Sequence, residues 1–262
     1  MITCIIQARM GSSRLTGKVL KPVAGKSILE HVISRLSLSS FVDQFIVATT
    51  TQPEDDAIQE FCEDLGIDCF RGSDWDVLDR FYHAAQQQEV SGNDTVVRIC
   101  CDNPLHSHEV LDFCIAEYEK RGVDYFSNSN HEPDYLEDGF DVEVFSFRAL
   151  EHAWKNARLL SEREHVTPFI KNSGSFRCEW KKADDEYNYK LSVDTLQDLQ
   201  VVETIFNELE DQPGFGIHDV VKLLKNKPGI LEINKDSVIN SGYKKSLEED
   251  REASTDPKRE KK

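Results

Sequence analysis

The chain has 262 residues, 39% of them hydrophobic and 30% charged, which is enough apolar material for a substantial core. With 31 Lys and Arg against 48 Asp and Glu, its formal charge is −17. That acidity argues against a protein that coats nucleic acid or lies on an anionic membrane. No apolar run of about 18 residues occurs, so no membrane insertion is expected, and MITCIIQARMGSSR turns basic after its apolar residues, the reverse of a secretory signal. Seven cysteines without a C-x-x-C pair point to reduced, mostly buried thiols and a cytoplasmic setting, not to disulfides or structural zinc.

The first half alternates short apolar runs with helical spacing. Strands are predicted over 2–6, 45–48, 67–70, 95–100 and 123–126, and helices over 27–36, 54–65, 77–88 and 108–121. This alternation predicts an α/β fold with a doubly wound, mostly parallel sheet. Ligands of such sheets sit beyond the carboxyl ends of the strands, which singles out residues 7–18, 49–52, 71–76 and 101–104. Further along, strands are predicted over 140–147, 176–181 and 189–193, with acidic Asp184, Asp185 and Glu186 before the last of these. Helices are predicted over 149–157, 196–209 and 217–224. Residues 1–243 read as one domain with an arm over about 140–181, and the charged stretch 244–262 reads as a disordered tail.

The segment IIQARMGSSRLTGKVL runs from a strand into a loop that carries Gly11, Ser12, Ser13 and Gly17 with Arg9, Arg14 and Lys18. Small residues let backbone N–H groups approach an anion, and the cations match a triphosphate. Val19 follows Lys18, so this is not a Walker A sequence. Asp102 follows the fourth strand in CCDNP, where a carboxylate can hold a divalent cation against phosphate. Asp194 precedes a helix, and the residues alone leave it open between a helix cap and a ligand. Asp74-Trp75-Asp76 spells a D-x-D, a pattern expected by chance in a chain this acidic. Asp141 and Glu143 alternate on one strand face, either exposed to solvent or facing a ligand. Arg71 and Arg80 either face phosphate or pair with nearby acids, and His165 either binds a ligand or holds structure.

The spelling A-R-x-G-S-x-R-L-x-G-K-x-L resembles the first loop of sugar-activating cytidylyltransferases, among them the enzymes that make CMP-Kdo and CMP-sialic acid. The nearest resemblance is to the family of the spore-coat polysaccharide biosynthesis protein SpsF. It continues through VATTTQPEDDAI, FRGSDWDVLDRFYHAA, VVRICCDNPLHSHEVLD, GFDVEVFSFRALEHAW, REHVTPFI and LSVDTLQDL, over roughly residues 2–243. It implies a Rossmann-like nucleotidyltransferase fold of GT-A type with a projecting β arm, and a homodimer paired through that arm. It also implies Mg2+-dependent transfer of CMP from CTP to an acidic sugar or related acceptor. Asp102 and Asp194 are then the metal-binding aspartates, and Arg9, Arg14 and Lys18 act with them in catalysis. Nucleotide binding falls to Ala8, Arg9, Met10, Gly11, Ser12, Ser13, Arg14, Lys18, Ser73 and Asp76, and acceptor binding to Asp141, Glu143 and His165. Cys101 departs from the Gly that usually precedes this aspartate in the family. A nucleotide-sugar glycosyltransferase would use the D-x-D and would not need a triphosphate loop. A nucleotide-binding regulatory module would keep the loop and tolerate loss of Asp194.

Overall fold

A computed structural model of the protein describes residues 1–129, 138–182, 189–212 and 214–255. Strand β1 (Ile2–Gln7) leads through the hairpin β2 (Pro22–Val23) and β3 (Lys26–Ser27) into helix α1 (Ile28–Leu36). Next come β4 (Gln44–Thr50), α2 (Asp56–Leu65), β5 (Asp68–Gly72), α3 (Val77–Gln87), β6 (Thr95–Cys100) and α4 (His108–Arg121). The second half adds β7 (Tyr125–Ser127), β8 (Glu143–Ser146), α5 (Phe147–Asn156), α6 (Leu160–His165), α7 (Pro168–Asn172) and β9 (Cys178–Trp180). It closes with α8 (Leu196–Glu208), α9 (Ile217–Asn226) and α10 (Ser241–Thr255).

The main sheet has the order β5-β4-β1-β6-β8-β7-β9. Strands β5, β4, β1 and β6 run parallel, β8 is antiparallel to β6 and β7, and β9 is parallel to β7. Successive residues of β1 alternate between two cores. Cys4 and Ile6 join the core that α1, α4 and α8 cover, and Ile5 joins the one under α3 and α5. This is the expected doubly wound α/β arrangement. Helix ends follow their local chemistry: Ser27 and Ser107 cap α1 and α4, and Gly122 ends α4 in the left-handed region at φ 59°.

Three expectations need correction. Residues 140–181 do not stand off from the body, because β8 and β9 extend the main sheet and α5 to α7 pack beside it. Residues 189–193 are not a strand. The amides of Leu191 and Ser192 donate to the Asp138 carboxylate at 2.7 and 2.8 Å instead of to a ladder. Residues 244–255 are not disordered but belong to α10, which docks on α6 through polar side chains. Asp184, Asp185 and Glu186 lie outside the described residues, as does the end of the chain from 256. No described helix is long and apolar enough to cross a membrane.

Candidate active site

The connection order places β4 and β5 on one side of β1 and β6 on the other, so the sheet's order reverses between β1 and β6. The loops after those two strands therefore diverge and leave a crevice at the strands' carboxyl ends. A cleft of about 540 Å³ opens there, lined by Ala8, Arg9, Gly11, Ser12, Ser13, Arg14 and Lys18 from the first loop and by Cys101 and Asp102 from the second. A second cavity of about 250 Å³ adjoins it and is lined by Asn103, Asp141, Glu143 and Thr167. Arg14, Asp102, His165 and Asp194 border both.

Lys18 stands at the junction. Its buried Nζ donates to Asp102 Oδ2 at 3.0 Å, Asp194 Oδ1 at 3.1 Å and the Val193 carbonyl at 2.7 Å. Burial works to lower the pKa of this ammonium, but the two carboxylates outweigh it and hold it above its ordinary value. Asp194 also receives Arg14 at 2.8 Å and Lys190 at 3.3 Å. Burial opposes its charge, and Lys18 and Lys190 overcome that and hold the carboxyl low. A backbone bond from Val193 N to the Asp102 carbonyl, 2.8 Å long, fixes the two aspartate loops side by side. The helix cap beside Asp194 is Thr195, which exchanges bonds with Asp198 at the start of α8. Asp194 itself is left for the cleft.

The first loop is braced from below. Met10 N donates to the buried Asp55 carboxylate at 2.6 Å, and the Met10 carbonyl accepts from Ser12 N and Gly17 N. The Ser12 amide, expected to face phosphate, is thus committed within the loop. Arg9 pairs at the surface with Asp74 at 3.1 Å. Ser73 and Asp76 do not line this cleft. Ser73 Oγ accepts from Asp76 N, and Asp76 caps α3 through Oδ1 and accepts on Oδ2 from Arg163 Nη2 and Nε at 2.5 and 2.9 Å. The two acids of the D-x-D therefore serve separate cations.

The residues predicted to bind an acceptor divide. The Glu143 carboxylate is buried and engaged by Arg98, Tyr125, Thr167 and Lys171, so it holds structure and is not a solvated face. Asp141 accepts from Ser129, Gly139 N and Asn103 Nδ2. Burial first, and the neighbouring Asp138 second, push its carboxyl up to about 7. His165 Nε2 lies 3.0 Å from Ser246 Oγ, and burial, then Arg98 and Lys171, push the ring down to about 4.

The cytidylyltransferase family model matches residues 3–235. The chain belongs to this family. Over 237 residues this cytidylyltransferase is 40% identical to the uncharacterized protein MJ1063 of Methanocaldococcus jannaschii, covering 88% of this chain and 93% of that one. It is 29% identical to the spore coat polysaccharide biosynthesis protein SpsF of Bacillus subtilis, over 87% of this chain and 95% of SpsF. A solved cytidylyltransferase from Leptospira borgpetersenii superposes with a TM-score of 0.80 at 29% identity, covering 91% of this chain and 98% of the other.

The structure brings to these cavities residues that sequence reasoning missed or left open. Lys190 is buried against Asp194 and follows a stretch with no distinctive spelling. Arg80, one of the residues left open between phosphate and acids, is buried beside the larger cleft. Its Nη1 donates to the Ser73 carbonyl at 2.7 Å and its Nε has no partner among the described residues. Asn103 shows the same signature beside the smaller cavity, with a buried Oδ1 that has no partner among the described residues.

Proposed function

We propose that this enzyme transfers CMP from CTP to a hydroxyl of an acidic sugar or related acceptor, with Mg2+, and releases pyrophosphate. The observation that carries the reading is the junction itself. Asp102 and Asp194 meet on Lys18 where a cation-lined cleft and a polar cavity share their lining. Two aspartates fit magnesium, a hard cation that takes one or two carboxylates and completes its octahedron with phosphate oxygens and water. When bound it would polarise the α-phosphate and make the acceptor hydroxyl more acidic.

The protein's own residues supply the rest. Arg9, Arg14 and Lys18 offer cations to the β- and γ-phosphates, which become the leaving pyrophosphate. Arg80 offers a desolvated guanidinium whose Nε is free to donate to an anionic ligand. Asp141 and Asn103 line the acceptor cavity and bring polar side chains to sugar hydroxyls. His165, held neutral at physiological pH, serves as a hydrogen-bonding group and not as a cation. SpsF carries spore coat polysaccharide biosynthesis in its name, and a place in surface polysaccharide or glycoconjugate synthesis suits this chain as well.

The test has two steps. Thermal unfolding is followed with CTP, UTP, ATP, GTP and CMP-sugars, with and without magnesium, because a ligand of the folded state raises its apparent stability. Pyrophosphate release is then followed with CTP, magnesium and a panel of acidic sugars. Selective stabilisation by CTP and pyrophosphate release dependent on a sugar are expected. Stabilisation by a nucleotide sugar and by no triphosphate would overturn the assignment.

A further inference from the structure

The family match ends at residue 235, yet α10, which begins at Ser241, forms one wall of the nucleotide cleft. Ser241, Lys245 and Glu249 border the same space as Arg14, Lys18 and Asp102. Arg14 joins the two parts. One of its terminal nitrogens donates to Ser241 Oγ at 2.6 Å, and the other lies 2.8 Å from Asp194 Oδ1. Lys245 follows one helical turn later, on the same side of the helix as Ser241. Its ammonium pairs with Glu249 at 3.6 Å, an exposed contact that water screens and a stronger anion displaces.

Polar contacts hold the helix down. Ser246 Oγ donates to Glu164 at 2.7 Å and lies 3.0 Å from His165 Nε2, while Asp250 accepts from Leu160 N at 2.8 Å. Beyond them a groove of about 1110 Å³, lined by Trp75, Trp154 and Asp250, separates the far half of α10 from α3 and α5. A helix with so little buried apolar surface opens more readily than the core helices. Across the cleft, Arg80 gives an independent sign of an anionic ligand. It is a buried guanidinium with an unpartnered Nε and no carboxylate pair among the described residues.

We propose that α10 is a phosphate-responsive wall of this site: Lys245 adds a cation to the β- and γ-phosphates of bound CTP, and the helix docks more firmly when they are present. The proposal rests on the CTP reading above and extends it to a segment outside the family match.

Calorimetric titration of CTP and of CMP, each with magnesium, into the full chain and its Lys245→Ala and Lys245→Arg variants tests it. Lys245→Ala is expected to weaken CTP about tenfold, the size of one lost charge-assisted hydrogen bond, and to leave CMP within twofold. Lys245→Arg should keep most of the CTP affinity. Hydrogen exchange of amides 241–255 should slow on adding CTP and not on adding CMP. Unchanged CTP affinity in Lys245→Ala, equal losses for CTP and CMP, or exchange indifferent to CTP would each overturn the proposal. Failure of the unaltered chain to bind CTP at all would remove the underlying functional reading, and this proposal with it.

Discussion

Lys18 spends all three of its ammonium donors inside the site, on Asp102, Asp194 and the Val193 carbonyl. That makes it the positioning residue for both aspartates, and its charge reaches a phosphate without a donor to spare. Without it Asp194 keeps Arg14 and Lys190, whereas Asp102 loses its only ion partner among the described residues. Lys18→Ala is therefore expected to lower stability by about 1–3 kcal/mol in urea unfolding and to cut kcat/KM at least about a hundredfold. Asp102 is half-exposed, so Asp102→Ala should abolish turnover with little change in melting temperature; retained turnover would sink its assignment. The residues readable in the sequence were those in a dense local pattern, such as the Arg9, Arg14 and Lys18 loop. Lys190 and Arg80 were not assigned because their meaning lies in burial. A lysine or arginine looks the same in sequence whether it is solvated or enclosed, and only the fold desolvates it.

The loop after β1 works because other elements grip it. Asp55, at the entry to α2, is buried and accepts from Met10 N, Thr50 N and Thr50 Oγ1, tying the loop to the end of β4. Gly17 turns the loop's far end at φ 67°, where a Cβ would stand 3.1 Å from Met10 Cε. Asp55→Ala leaves two backbone donors and a hydroxyl without their acceptor. It is expected to cost about 2–4 kcal/mol and to raise the KM for CTP several-fold, with Asp55→Asn in between. If the KM stays fixed while stability falls, the loop does not need this brace. Helices α1 to α4 and strand β6 were legible because apolar periodicity, caps and burial agree there. The segments misread are those where a side chain replaces a ladder. Asn128 bonds Phe140 O and Val142 N and holds the chain short of β8, and Asp138 does the same for residues 191–192. Helix α10 was missed for a related reason: its docking is polar, and hydrophobic patterning does not register that.

At the scale of the whole molecule, the parallel half of the sheet carries the larger cleft, and one buried carboxylate adds to the β6–β8 ladder in tying the antiparallel half to it. Glu143 opens β8, faces Arg98 of β6 across the antiparallel pairing, and collects Tyr125 of β7, Thr167 just before α7 and Lys171 of α7. Burial alone would raise its pKa, but Lys171 and Arg98 outweigh burial and hold it well below the ordinary 4.5. A carboxyl lowered by folding contributes stability that is present above the unfolded value and lost as pH falls toward the folded one. Asp141 has the opposite sign. Its carboxyl is raised to about 7, so its contribution is present below the ordinary 3.8 and lost as pH rises through 7. Glu143→Gln is thus expected to cost about 3–5 kcal/mol near neutrality, because it strands two buried cations, and the gap to the unaltered chain should narrow below pH 4.5. Asp141→Asn should instead gain on the unaltered chain as pH rises from about 4 to 7, and hold level above that. Urea unfolding of the three proteins from pH 3 to 8 reads both slopes. A Glu143→Gln gap that is flat across this range would show that the carboxylate's charge does not lock the two halves of the sheet together.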